Sequence, residues 1–447
     1  MRRILRNLSH VQIIALGYSI IILFGTALLT LPVATASGES AGFLNALFTA
    51  TSSACVTGLV VAESGVYWSL FGQIVILLLI QTGGLGFMTI ATFFFSLFRR
   101  KMGLRQKEVM IESINTSSIG GILHLSKKIL LMTLLFEACG AVILFLRYFF
   151  HYSYPVGKSF FFGLFHSVSA FCNAGFDLNG GSFASFSSFS DDPVILLTLS
   201  SLILIGGLGF LVWKDLKDSR FSFRKMHLHT KIVLVTNLLL ILLPAVLFFI
   251  LERSGAHREM SGGVQILNSF FDAVTPRTAG FNTTDTAALS PASGVLTLIL
   301  MFIGGSPGST AGGIKTTTLF VLIVYTVSSI RNERAASAFG RRISPDVLKK
   351  AVQVFVWTLF LALTGSFLLL AVQPELGFFN GIFEVFSAIG TVGMSTGITR
   401  DLGTFSRILV ILLMFIGRIG GISFGAALLE KKAPPAVTFP YENITIG

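Results

Sequence analysis

Residues 49–58 read TATSSACVTG, residues 166–175 HSVSAFCNAG, residues 271–280 FDAVTPRTAG and residues 384–393 EVFSAIGTVG. Each stretch ends on a glycine (Gly58, Gly175, Gly280, Gly393), and each glycine stands ten residues after a phenylalanine: Phe48, Phe165, Phe270 and Phe383. The residues between are small or hydroxylated at matching places. The glycines lie 117, 105 and 113 residues apart, a near-constant period that has to be read before anything else. Short, fairly apolar segments lead into them at 42–53, 159–170, 264–275 and 377–388. Twelve helical residues reach only about 18 Å, roughly half of a bilayer. One such segment alone reads as an amphipathic loop. Four in register read as re-entrant half-helices.

Working outward, long apolar runs flank each stretch, near 11–31, 70–98, 129–150, 194–213, 231–251, 294–328, 351–372 and 406–429. The chain is 53% hydrophobic and 12% charged, against about 25% charged in soluble domains. Its mean hydropathy is +0.80. The expected fold is therefore an all-α membrane protein with eight transmembrane helices and four re-entrant half-helices. Each unit is span, half-helix, glycine, span, and four such units surround an axis with pseudo-four-fold symmetry. The expected units are 1–100, 101–220, 221–335 with a broken second span, and 336–447 with a short cytoplasmic C-terminus. Arg2, Arg3 and Arg6 before an apolar run, with Ala34-Thr35-Ala36 after it, imitate a signal peptide. The run of 21 residues exceeds the 7–15 of a signal core and is long enough to span.

Of 33 Lys and Arg, 24 fall in 1–10, 99–128, 214–231, 331–350 and 430–447. Such segments are cytoplasmic, which places both termini inside. The net charge of +12 is thus mainly a topology signal, not a nucleic-acid footprint. The basic inner loops suit either lipid headgroups or an acidic partner surface. Twelve Asp and Glu against seven Lys and Arg, Arg277 among them, remain for the outer connections. This is an acidic mouth that would concentrate cations.

A second repeat lies in the later spans: Gly83-Gly84-Leu85-Gly86-Phe87, Gly206-Gly207-Leu208-Gly209-Phe210 and Gly417-Arg418-Ile419-Gly420-Gly421. Close helix packing accounts for the first two. Unit three instead has Gly304-Gly305-Ser306-Pro307-Gly308-Ser309-Thr310-Ala311-Gly312-Gly313, which cannot stay helical. Such backbone is tolerated at membrane depth only when protein-buried or lining a cavity. A glycine at a matched place in four strands can turn carbonyls toward one axis. Half-helix C-termini aimed there would each add about −0.5 charge. Glu137, Lys315 and Arg418 stand out as charges within the spans. Arg418, level with the unit-three break, would act as a barrier to cations. Glu137 either pairs with a neighbouring helix or serves as a relay in a sodium- or proton-coupled symporter with a midplane site.

Enzyme chemistry lacks support: His166 has no partner in sequence, and Cys55, Cys139 and Cys172 have no metal-ligand spacing. Gly308–Thr316 nearly matches a phosphate-binding loop, but one extra residue, Ile314, intervenes and no strand precedes it.

With these features assembled, the chain resembles the Trk/Ktr/HKT superfamily of potassium transporters over essentially its whole length. Its short ends and Ile444-Thr445-Ile446-Gly447 terminus are similar to the membrane subunit of bacterial Ktr systems. The resemblance implies potassium uptake through filters at Val56-Thr57-Gly58, Asn173-Ala174-Gly175, Thr278-Ala279-Gly280 and Thr391-Val392-Gly393. It implies a gate at Gly304–Gly313 with Lys315 and Arg418 nearby. It implies K+ as the transported ion and Na+ as a candidate activator. It also implies a homodimer in the bacterial cell membrane on a cytosolic, KtrA-like ring, with nucleotide bound by that partner and not by this chain. The single glycine per filter departs from the two-glycine pattern of tetrameric potassium channels, so fewer ion sites are expected.

Overall fold

The computed structural model of the chain describes residues 9–86, 122–180, 185–333 and 335–420. Segments 1–8, 87–121 and 421–447, with Phe87, Gly421 and the terminal Ile444–Gly447, lie outside the described residues. Unit one contributes α1 (His10–Leu29), α2 (Phe43–Ala54) and α3 (Leu70–Leu85). Unit two contributes α4 (Ile122–Phe150), α5 (Val156–Phe171), α6 (Pro193–Leu208) and α7 (Phe210–Asp218). Unit three has α8 (Leu228–Glu252), α9 (Gly262–Val274), α10 (Pro291–Phe302) and α11 (Thr316–Ile330). Unit four has α12 (Pro345–Val372), α13 (Phe378–Gly390) and α14 (Thr404–Ile419).

Local chemistry starts these helices. Ser9 and Gln12 form a reciprocal capping box on α1, satisfying two otherwise orphaned N–H groups. Asp192-Pro193 and Ser290-Pro291 open α6 and α10 with a side-chain cap followed by proline, whose missing N–H costs nothing at that position.

Burial sorts the helices into two rings. In the first helix of each unit (α1, α4, α8, α12) a third or less of the apolar span is buried. Phe24, Leu131, Leu243 and Phe367 face outward, which costs nothing where the solvent is lipid. These four alone are long and apolar enough to cross a membrane unbroken among the described residues. The half-helices α2, α5, α9 and α13 carry the buried residues, with Phe48, Phe165, Phe271 and Phe383 fully enclosed.

The second spans correct the expectation of continuous helices in units one, two and four. The first glycine of each cluster does pack closely. A Cβ on Gly83, Gly206 or Gly417 would strike the carbonyl oxygen of Ala54, Phe171 or Ile389, at the end of the neighbouring half-helix. The fourth residue of each cluster, however, ends the helix. Gly86, Gly209 and Gly420 have φ of 76°, 96° and 95°, outside the helical region. At Gly209 the chain bends by 89° between α6 and α7, and the Phe210 N–H leaves the helix ladder for the Gly308 carbonyl at 2.8 Å. Among the described residues a helix therefore ends at the glycine cluster of every unit, and not in unit three alone.

Candidate functional site

The four repeat glycines meet. A Cβ built on Gly58 would lie 2.6 Å from the Ala174 carbonyl oxygen and 3.0 Å from the Gly175 Cα. One on Gly175 would lie 2.9 Å from the Ala279 oxygen and 3.1 Å from the Gly280 Cα. Gly280 would meet the Val392 oxygen and the Gly393 Cα, and Gly393 would meet the Thr57 oxygen and the Gly58 Cα. The contacts close a ring in chain order, one to two to three to four to one. All four glycines have positive φ, 96°, 69°, 78° and 91°, so any side chain there is strained as well as crowded. The half-helices end three to six residues before these glycines, so four helix C-termini adjoin the ring, and their dipoles favour a cation.

Each ring strand begins with a residue in the left-handed region: Val56, Asn173, Thr278 and Thr391, with φ of 56°, 57°, 70° and 50°. In units one, two and four this is a helix stop in which two orphan carbonyls are recaptured. Val56, Asn173 and Thr391 donate to Ser53, Ala170 and Ala388 at 3.1 Å; Thr57, Ala174 and Val392 donate to Ser52, Ser169 and Ser387 at 2.8 Å. The stop normally takes glycine or asparagine. Valine and threonine here store about 1–3 kcal/mol of strain each. Sequence reasoning named these four residues as the first of each filter but not their left-handed backbone, because only Asn173 carries that preference.

Hydroxyls pin the ring from behind. Ser52 and Ser387 accept from the Gly58 and Gly393 N–H at 3.1 and 3.0 Å. Ser169 donates to the Phe176 carbonyl at 2.6 Å, and Thr275 to that of Phe281 at 2.5 Å. In units one, two and four the hydroxyl lies six residues before the glycine. In unit three it lies five before. Phe271 correspondingly replaces the expected Phe270 as the enclosed ring, and Phe270 is only half-buried. Unit three is one residue short at its filter turn.

On one side of the ring is a cavity of about 90 Å³, lined by the four glycines with Glu63, Asp177, Asn282, Ser395 and Arg400 among others. Arg400 pairs with Glu63 at 3.1 Å. Burial, with the Glu63 charge adding to it, pushes the Asp177 carboxyl up to about 8, against the opposing pull of the Asn179 N–H.

On the other side lies the unit-three loop. Ile303 and Ile314 bridge its neck, where Gly304 donates to the Ile314 oxygen at 2.9 Å. Ser306 and Thr310 donate to the Gly207 and Gly206 carbonyls at 3.0 and 3.3 Å. The Thr310 hydroxyl reaches the Phe171 carbonyl at 3.2 Å. Gly312 abuts the Thr391 side chain. Pro307 and Gly308 lie against Gly209, Ala311 packs over Gly305, and Ser309 donates to the Ser306 carbonyl at 2.7 Å. The loop thus touches the half-helix ends of units two and four directly behind the ring. Gly313, with φ of 65°, supplies its last turn.

Arg418 grips this loop. Its guanidinium donates to the Thr310 carbonyl at 2.5 Å, to the Gly83 carbonyl, and to the Tyr18 hydroxyl at 3.3 Å. Gly83 sits in the last turn of α3, where the helix dipole favours a cation. Lys315 turns back onto its own loop, donating to Ala311 and Gly312 at 2.7 and 3.2 Å.

Two sequence readings change, and a third is narrowed to one of its alternatives. Arg277 is not an outer-surface base; it is 4% exposed, tucked behind the filter turn of unit three with its guanidinium on the Asn237 amide oxygen. His166 has partners, the Tyr148 hydroxyl and the Leu178 N–H, each at 3.1 Å. Glu137 is buried and accepts from Gln81 at 3.1 Å, the inter-helix pairing that one of its two readings expected. Asn237 was missed altogether, since a lone asparagine in an apolar run carries no spacing signal.

With this geometry in hand, comparisons with known proteins are decisive about kinship. The family model described as TrkH, cation transport protein, matches residues 17–434. The potassium/sodium uptake protein NtpJ of Enterococcus hirae is 40% identical, covering 100% of this chain and 99% of that protein. The Ktr system potassium uptake protein B of Bacillus subtilis is 39% identical, covering 92% and 91%. The crystal structure of the potassium transporter TrkH from Vibrio parahaemolyticus superposes with a TM-score of 0.70 over 92% of this chain and 84% of that one, at 20% identity. That likeness bears on the fold alone. This is a multi-pass membrane transport protein and not an enzyme, and it belongs to the TrkH family of cation transport proteins.

Proposed function

We propose that this chain takes up potassium through a central pathway whose narrowest layer is the ring of Thr57-Gly58, Ala174-Gly175, Ala279-Gly280 and Val392-Gly393. The observation that carries this reading is the cyclic closure of the four glycines, each against the carbonyl of the next strand. A cation leaving water needs replacement oxygens, and the ring offers them with four helix C-termini behind. One glycine per strand supports fewer ion sites than a two-glycine filter and hence modest selectivity. The loop Gly304–Gly313, held by Arg418 and Lys315, is the gate, since it sits directly behind the ring and is anchored by reversible polar contacts.

The reading extends to assembly. The positive-inside asymmetry supports cytoplasmic termini in a bacterial cell membrane. Kinship with a protein named for a Ktr system supports a homodimer on a cytosolic nucleotide-binding ring, with the nucleotide on that partner. A second reading, sodium- or proton-coupled symport, draws support from the relative named for both potassium and sodium, so both ions belong in the assay.

The test is flux into liposomes containing the purified chain, comparing wild type with Gly393→Ser. Loss of potassium uptake, or of preference over sodium, is expected. If both are unchanged, the ring is not the pathway.

A further inference from the structure

The family reading treats the loop as a plug and the filter as a separate ring. A buried polar chain joins them. Arg277 immediately precedes the left-handed Thr278 of filter three, and its guanidinium donates to the Asn237 side-chain oxygen on α8. The Asn237 Nδ2 donates to the Ser306 Oγ at 3.1 Å, and also to the Val233 carbonyl within α8 at 2.7 Å. Ser306 belongs to the loop, and its Oγ also accepts from the Thr316 hydroxyl at 3.2 Å, at the start of α11. Arg277, Asn237, Ser306 and Thr316 are all buried, at 4%, 6%, 0% and 0% exposure. At this depth neither water nor a lipid headgroup can replace a lost partner, so such a chain holds as a unit or breaks as a unit.

A charge makes the chain directional. Arg277 is a buried guanidinium that donates to a neutral side-chain amide, and its Nε has no partner among the described residues. The Asn237 oxygen therefore fixes where that charge stands behind filter three. Ser306 and the Val233 carbonyl together orient the Asn237 amide, because an amide that donates to both through Nδ2 must present Oδ1 to Arg277. Filter three is also the strand that is one residue short, with its hydroxyl pin, Thr275, five residues before Gly280.

We infer that Ser306, through Asn237 and Arg277, is a positioning residue for filter three, so that the loop sets ion preference as well as passage. If the Ser306 bond is lost, the Asn237 Nδ2 keeps only its bond to the Val233 carbonyl, and the Arg277 charge and the Thr278-Ala279-Gly280 carbonyls beside it relax together. The inference rests on the proposed pathway, and its test separates the two.

Full-length Ser306→Ala, Asn237→Leu, Asn237→Asp and the double variant Ser306→Ala/Asn237→Leu are reconstituted, and potassium and sodium fluxes are measured in parallel. Ser306→Ala and Asn237→Leu should each lower the potassium-to-sodium flux ratio about five-fold, the scale of one lost hydrogen bond. The double variant should lower it no further than the single ones, since the residues act in series. Asn237→Asp should recover the ratio in part, because a carboxylate still accepts from Arg277 and from the Ser306 hydroxyl but loses the bond to the Val233 carbonyl. A merely structural role would change yield and total flux but leave the ratio and this rescue pattern unmoved. The inference is overturned if Ser306→Ala raises total flux with the ratio unchanged, or if the two single effects multiply. Ser306→Ala removes one oxygen atom and decides the matter alone if Asn237→Leu does not fold. Should Gly393→Ser shift the ratio while Ser306→Ala does not, the coupling falls and the pathway stands.

Discussion

The glycine ring and the layer directly behind it are built on opposite principles. The ring repeats one device, shortened by a residue in unit three: a half-helix, a left-handed residue, a hydroxyl pin and a glycine. The layer behind starts from the same four-fold plan, a glycine helix break in every unit. It is then specialised at single places: the loop in unit three, Arg418 in unit four, Tyr18 and Gly83 in unit one, and the bend at Gly209 in unit two. Repetition makes a symmetric hole, and departures from repetition supply what can block it. A carbonyl ring has no way to close without moving all four strands. On the proposed reading, a loop in one unit, held by the Arg418 guanidinium and a few backbone and hydroxyl contacts, can leave while three units stay still.

The largest effects should come from breaking the ring, and they should be nearly equal around it. Alanine at Gly58, Gly175, Gly280 or Gly393 adds a Cβ at positive φ against a neighbouring carbonyl. A cost of about 3 kcal/mol corresponds to about a 100-fold loss of potassium uptake, measured as rubidium influx. A tolerated alanine at any one position would show that the strands are not equivalent.

Changes behind the ring should be smaller and opposite in sign. Arg418→Ala removes charge-assisted bonds to Thr310 and Gly83, each worth about 1.5–3 kcal/mol, and should raise basal flux about ten-fold. Arg418→Lys should recover part of the closure, since an ammonium reaches fewer carbonyls at once. Excision of Gly308–Thr310, which spares Ser306, should raise flux while keeping ion preference. A closed phenotype in either case would remove the loop from the gate.

The mouth offers a weaker lever. Because the Asp177 carboxyl is raised to about 8, it is neutral below that pH and charged above it. Cation flux at low ionic strength should therefore rise about two-fold between pH 7 and 9, and Asp177→Asn should flatten that rise. Glu137 stands outside the comparison, in a structural pairing with Gln81. Glu137→Gln should leave transport within about two-fold, and a lost pH response there would instead revive a coupled symporter.

How much of this was legible in the chain depends on the kind of signal. The half-helices were readable to within a few residues, as 42–53 against Phe43–Ala54 and 377–388 against Phe378–Gly390. Apolar length and repeated spacing are local properties that leave a direct trace. The breaks at Gly86, Gly209 and Gly420 were not readable, because a glycine cluster in an apolar run fits close packing and helix termination equally. Both occur, on different glycines of one cluster.

By itself, then, the amino-acid sequence determined a membrane-spanning chain of four like units, each with one glycine set to turn the backbone. Periodicity and hydropathy are enough for that. Tertiary structure alone decided that the four glycines touch in a closed cycle, that Arg418 reaches across to units one and three, and that Arg277 lies buried against Asn237. Those facts depend on where segments from 40 to several hundred residues apart come to rest. A buried arginine and a surface arginine read the same until the fold places one of them beyond the reach of water.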